Sequence, residues 1–184
     1  MLKPAKSYND LYNSFHWEVP EFYNIGVDIC DKHARDSNLL ALIYEKENGV
    51  VNTYTFSELK GLSNRLANAL LAHDMAVGDR LGILLPQSPE TAIAHVAAYK
   101  IGAIAIPLFT LFGTDALSYR LRDSEATCLV TDDANLQKIL AIREQLPALK
   151  HIFVVGAGAQ PGIIDFWEAV QKGARELTPV QTRK

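Results

Sequence analysis

Four short apolar runs limit what this chain can fold into: RLGILL at 80–85, AIAIPL at 103–108, TCLVT at 127–131 and HIFVV at 151–155. Each has the length of one strand and is apolar on both of its alternating faces. Such a strand must be covered from both sides, which is the pattern of a parallel sheet held between helices. The segments between the runs read as those helices, giving a β-α-β-α-β-α-β-α order. Ser88 with Pro89 opens one, because a capping residue precedes proline at the first helical position, and Gly102 closes it. Thr114 and Asp115 open the next, through Leu117 and Leu121. One acid of the Asp132–Asp133 pair caps a third, which carries Leu136, Ile139, Leu140 and Leu146 as far as Pro147. Asp165 with Glu168 opens the last, ending near Gly173. The expected fold is α/β: a doubly wound, mostly parallel sheet flanked by helices on both faces, with right-handed crossovers.

Upstream the pattern changes. Two apolar runs, LLALIY and VVNTYTF, flank Glu47-Asn48-Gly49. Asn-Gly predicts an N-terminal β-hairpin with a type I′ turn, both residues at positive φ, placed at one edge of the sheet. Thr55 and Glu58 form a capping box, with Tyr54 and Leu59 placed for a hydrophobic staple. Leu59, Leu62, Leu66 and Leu70 then run down one helix face. A helix from about Glu21 is expected from the spacing of Phe22, Ile25, Ile29 and His33. The organisation reads as a lead-in at 1–20, an α/β unit at 21–173 and a truncated linker or tail at 174–184.

Bulk properties exclude several function classes. The net charge of -3 comes without a Lys/Arg cluster, so a nucleic-acid surface is not expected. Cys30 and Cys128 lie in unrelated contexts and read as small buried hydrophobes, not a disulfide framework. The five histidines have no partners at metal-ligand spacing, so no metal site is expected. No apolar run reaches the length of a membrane span, and MLKPAKSYNDLY lacks the apolar core of a signal peptide, which points to the cytoplasm. HIFVVGAGAQPG imitates the start of a dinucleotide fingerprint. Pro161 and Gly162 break the helix that would hold the pyrophosphate.

Four segments then occur in a fixed order: YTFSEL, RLANALLAH, LGILLPQSPE and YKIGAIAIPL. Singly each has a structural explanation. Together, and with LFTLFGTDALSYRLRDSEATCLVTDD after them, they resemble the opening of the AMP-forming acyl-CoA synthetases, in the acetyl- and medium-chain branch of the adenylate-forming enzymes. The resemblance runs roughly from Tyr23 to Val155. It implies a partial N-terminal domain, an incomplete AMP-binding domain, of an enzyme that joins a carboxylic acid to CoA with ATP, through an acyl-adenylate.

The resemblance also implies what this stretch lacks. The family's Ser/Thr/Gly-rich phosphate loop with its lysine is not in the sequence, nor is G-x-x-x-x-G-K-[ST]. ATP, CoA and Mg2+ are therefore expected to serve the full-length enzyme, with none bound to this stretch and no catalytic residue in it. The partners implied are the remainder of the synthetase chain and a carboxylic acid substrate, with self-association through exposed apolar surface. The one candidate site is an edge of the CoA or acyl channel at Leu111, Phe112 and Gly113, in the turn that follows the 103–108 strand. The bland alternative there is a helix-entry turn with Thr114 as cap and Phe112 packed. The alternative for the whole chain is a stand-alone α/β ligand-binding or regulatory module.

Overall fold

The structure is a computed structural model that describes residues 4–156 and 161–183. A parallel sheet of five strands forms its centre: β4 (Arg80–Leu84), β5 (Ile104–Pro107), β6 (Cys128–Asp132), β7 (His151–Val155) and β8 (Ile164–Asp165). Their spatial order is β5-β4-β6-β7-β8. The chain therefore starts inside the sheet, steps outward once to β5, then crosses back and continues the other way.

The period-two alternation of the strands builds two cores. Leu81, Ile83, Cys128, Val130 and Phe153 face a layer made by α2 (Ile25–Ile29), α3 (Phe56–Ala72), α4 (Pro89–Lys100) and α7 (Phe166–Lys172). Leu84, Leu129, Ile152 and Val154 face α5 (Thr114–Asp123) and α6 (Asp133–Leu140). The outward crossover uses a helix on one face and the return crossovers use helices on the other, as a single crossover handedness requires. Gly82 in β4 is part of this design. A Cβ there would stand 2.7 Å from Leu129 Cδ1 and 3.0 Å from Leu121 Cδ2, so its absence lets α5 approach the central strand.

Several expected local signals form as read. Thr55 and Glu58 make the reciprocal capping box, Asp132 accepts from the Asn135 amide at 2.9 Å, and Asp165 accepts from the Glu168 amide at 2.7 Å. Others differ. Phe22 does not begin a helix: Phe22–Tyr23 is a short strand, β1, paired antiparallel with β9 (Thr182–Arg183), and α2 starts after it with Asn24 as its cap. The hairpin of β2 (Leu40–Glu45) and β3 (Val51–Thr55) forms its own two-stranded sheet instead of extending the parallel one. Its turn is not type I′. Gly49 alone is left-handed, at φ 80°, and its amide donates to the Lys46 carbonyl at 2.8 Å. That is the longer hairpin connection with a glycine bulge. Ser88 and Gly113 hold the N-cap positions of α4 and α5 without side-chain capping bonds, so Thr114 is the first helical residue and not the cap. The third crossover helix ends at Leu140, and a 3-10 turn at Arg143–Gln145 completes the path toward Pro147.

The stretch from residue 174, read from sequence as a linker or tail, begins along α3 at residues 174–176 and runs on to the end of α4 at Val180 and to β1 at residues 182–183. Asn64 donates to the Arg175 carbonyl at 2.9 Å, and Asn68 donates to Ala174 and Glu176 at 2.8 and 2.9 Å. Arg65 donates to the Gln171 and Gly173 carbonyls at 3.0 and 2.9 Å. The α1 helix (Tyr8–Ser14), inside the lead-in, has no buried residue, and Tyr8, Tyr12 and Trp17 are exposed.

Gly173 provides a direct test of this packing. A Cβ at that position would collide with the Arg65 carbonyl of α3, whose backbone has no room to retreat. Gly173→Ala is expected to destabilise the chain by about 1–3 kcal/mol, as overpacking does. Gly61→Ala, in the same helix layer with only the flexible Arg175 side chain at 3.6 Å, should be neutral or stabilising by up to about 1 kcal/mol. Urea unfolding midpoints of the two variants measure the difference.

Candidate functional site

The winding reverses between β4 and β6, and ligands of open α/β sheets bind beyond the carboxyl ends of the strands at such a point. Three loops meet there, after β4, β5 and β6. In the loop after β5, Leu111 is 79% exposed. Phe112 is half-buried, edge-on to Phe109 at 5.8 Å, with the Arg120 guanidinium 4.3 Å above its ring. Gly113 has φ -74° and ψ 171°, ordinary extended backbone, and an added Cβ would meet nothing within 4 Å. The chain's own packing thus does not require glycine there. From α6, Lys138 holds the loop by donating to the Thr110 carbonyl at 2.7 Å and to Asn135 Oδ1 at 3.0 Å. The acid after β6 is engaged too, since Asp132 caps α6.

Beside this loop lies a groove of 1190 Å³ between β2, α4 and the ends of β4 and β5. Its polar side chains are Tyr44, Gln87, Ser88, Thr91, His95, Tyr99 and Thr110. His95 Nδ1 lies 2.9 Å from the Thr91 carbonyl, so that nitrogen carries the proton. A magnesium triphosphate needs cations and carboxylates, and no Asp, Glu, Lys or Arg lines the groove. Among the described residues no three His, Cys, Asp or Glu side chains gather as a metal site. The residues present therefore do not fit ATP or Mg2+. A second cavity of 560 Å³ between α3 and α7 holds charges already engaged with one another, the Glu168–Lys172 ion pair, and with the backbone, through the Asp165 cap.

The residue that sequence reading missed is Lys100, in the last turn of α4. Its side chain is wholly buried. The ammonium donates to Asn64 Oδ1 at 2.7 Å and Ser63 Oγ at 2.9 Å, both on α3. It also lies 2.7 Å from Asp31 Oδ1, in the 3-10 turn after α2. That carboxylate oxygen meets no hydrogen-bond geometry, so the contact is a close ion pair and not an aligned bond. Burial pushes the ammonium below its ordinary range, and the Asp31 carboxylate opposes the shift. Gly26 of α2 packs on the lysine stem, where a Cβ would stand 2.7 Å from Cγ.

Around the same point Asn24 donates to the Tyr99 carbonyl at 2.9 Å and the Val180 carbonyl at 2.8 Å. The Val180 amide donates to the Lys100 carbonyl at 2.9 Å. Gly102, at φ 72°, leaves room for Val180, whose Cγ2 would lie 2.9 Å from an added Cβ. A signal was present in the sequence: PETAIAHVAAYK has no polar stripe, so a lysine on it has few ways to reach water. Cys30, at the end of α2, and Cys128 are buried, and burial pushes both thiols up to about 11.

Comparison with known proteins gives one consistent result. The family described as AMP-binding enzyme matches residues 31–182. The acetyl-coenzyme A synthetase of Bacillus subtilis (strain 168) is 37% identical, over 94% of this chain and 32% of its own length. The mitochondrial acyl-coenzyme A synthetase ACSM3 of Homo sapiens is 27% identical, over 96% of this chain and 31% of its own. Among solved structures, an acyl-CoA synthetase of Brucella canis superposes with a TM-score of 0.86 at 28% identity, covering 96% of this chain and 34% of that one. The anthranilate CoA ligase AuaEII, in complex with anthranoyl-AMP, gives 0.83 at 30% identity, covering 90% and 31%. The chain spans about a third of the length of the relatives it matches and corresponds to their N-terminal part.

Asp31→Asn leaves the Lys100 ammonium buried without its counter-charge. The expected cost is about 3–5 kcal/mol, a fall in Tm of roughly 6–20 °C for a chain of this size. Lys100→Met combined with Asp31→Leu should recover part of that loss. Calorimetric melts of the single and double variants measure both.

Proposed function

Because this chain belongs to the AMP-binding enzyme family, we propose that it is the N-terminal third of an AMP-forming acyl-CoA synthetase. The reaction of such an enzyme joins a carboxylic acid to CoA, with ATP consumed to AMP and pyrophosphate through an acyl-adenylate. The match across residues 31–182, together with the 32% share of an acetyl-coenzyme A synthetase, is the observation that carries this reading. In it, this stretch is scaffold. It contributes the wound sheet and the helices that set the carboxyl-end loops, while the groups that grip ATP and magnesium come from the rest of the enzyme.

The contribution nearest to chemistry is the loop Leu111, Phe112 and Gly113, as an edge of the CoA or acyl channel. Its position beyond β5, the open space at Gly113 and the nearby guanidinium of Arg120 support that role. A cytoplasmic location belongs to the same proposal. It is supported by two free, buried cysteines, as a reducing compartment allows. No helix among the described residues is long and apolar enough to cross a membrane.

Two outcomes follow. The chain of residues 1–184 alone should release no pyrophosphate from ATP above background with acetate, butyrate or octanoate. Release above background would contradict the scaffold reading. In a full-length synthetase carrying this stretch, Gly113→Val should raise the KM for CoA by roughly tenfold, about 1.4 kcal/mol, with the KM for ATP little changed. Steady-state kinetics with each substrate varied in turn decides it, and unchanged CoA kinetics would remove the loop from the channel.

A further inference from the structure

Where α3 and α7 carry alanine they leave a cavity of 560 Å³ between them, inside the roughly 300–1,000 Å³ of small-molecule sites. Ala69, Ala72, Ile164 and Ala169 give it an apolar lining, and Ala69 and Ala169 are buried. Five polar side chains share that lining: Asn68, His73, Asp165, Glu168 and Lys172.

Most of the hydrogen-bond donors there are already engaged. Asn68 gives its amide hydrogens to the carbonyls of Asn64, Ala174 and Glu176 at 3.1, 2.8 and 2.9 Å. All three partners are acceptors, so the nitrogen faces them and Oδ1 is left as an acceptor. His73 Nδ1 lies 2.8 Å from the Ala69 carbonyl and carries the proton, which leaves Nε2 with a lone pair. Glu168 meets Lys172 through Oε1, and Asp165 receives the Glu168 amide on Oδ1. The other oxygen of each carboxylate, Asn68 Oδ1 and His73 Nε2 have no hydrogen-bond partner among the described residues.

The lining thus combines unmet acceptors with two carboxylates set against one ammonium. Its complement is a positively charged donor on an apolar body. The carboxylate, ATP and CoA of the proposed reaction are anions and would bring like charge to Asp165 and Glu168. A neutral hydrocarbon would leave the acceptors without donors.

We propose that the cavity between α3 and α7 binds a small organic ammonium, a primary amine on a short hydrocarbon. An ammonium offers three donors and no acceptor, which suits carboxylate oxygens and an imidazole lone pair. The hydrocarbon lies on Ala69, Ala72 and Ala169. The inference does not rest on the acyl-CoA reading, since none of that reaction's substrates suits the cavity, and its readout is binding.

Butylammonium chloride is the probe, titrated at pH 7 into the chain of residues 1–184 and followed by the methyl signals of Ala69, Ala72 and Ala169. Their shifts should saturate with a Kd of about 1 mM or below, within reach of so small a ligand. Sodium butyrate and 1-butanol should give no saturable shift. No saturation with butylammonium by about 20 mM overturns the proposal. Equal binding of butyrate or butanol overturns it too, because the cavity would then not select positive charge. Equal shifts at Ala116 of α5, on the other face of the sheet, do the same, since the amine would then be coating the surface at large. Glu168→Gln should weaken binding by roughly tenfold, the worth of one charge-assisted hydrogen bond. Ala72→Leu should block it by filling the space. Both positions are exposed, so the fold should be unaffected. Undiminished affinity in either variant overturns the proposal.

Discussion

An ammonium group shut away from water stands where three helical segments and the returning chain meet. Lys100 closes α4, its Nζ binds two side chains of α3, and Asp31 neutralises it from the turn after α2. Its backbone carbonyl receives the Val180 amide. A buried pair of this kind contributes little net stability compared with an apolar pair of the same shape. What it supplies is position. Three donor directions and one counter-charge admit few arrangements of the elements around it, and Gly26 and Gly102 are small because the lysine stem and Val180 occupy the space beside them.

That constraint ties the YKIGAIAIPL segment to the loop beyond it. The lysine fixes the end of α4, so it fixes where β5 begins and where the loop after β5 emerges. Gly113 and Phe112 are placed by the same chain of contacts, through Leu108 in the second core and Lys138 on Thr110. Among the described residues the sheet has β5 as an unpaired edge, and the groove next to it is lined by no Asp, Glu, Lys or Arg.

Much of the fold was legible in the sequence because it is local. Apolar runs of strand length marked β4, β6 and β7, the caps at Thr55 and Asp165 were readable from a residue and its third neighbour, and the cap at Asp132 was readable as one acid of the Asp132–Asp133 pair. The misreadings share a different cause. Phe22 and Tyr23 are a strand only because residues 182 and 183 come alongside, and two residues carry no period. β8 is equally short. AIAIPL looked like a strand buried on both faces, whereas β5 is half-exposed at an edge of the parallel sheet, and edge position is set by the order of the strands, not by the run itself. Lys100 stands inside YKIGAIAIPL with no local mark of its burial, because its partners at residues 31, 63 and 64 are brought to it only by the tertiary fold. Of the candidate site, the position of the loop was legible and its environment was not. Arg120 over Phe112 and the open space at Gly113 are features of the folded chain that no spacing in the segment marks.

Native-state hydrogen exchange tests most directly whether Lys100 is the node of the structure. The amides of Cys30, Ile101 and Val180 lie in separate parts of the sequence, yet each belongs to the group of elements that the lysine joins. The account predicts that they open together, with one free energy and one dependence on denaturant. Independent opening, with Val180 and Cys30 exchanging far more readily than Ile101, would contradict it.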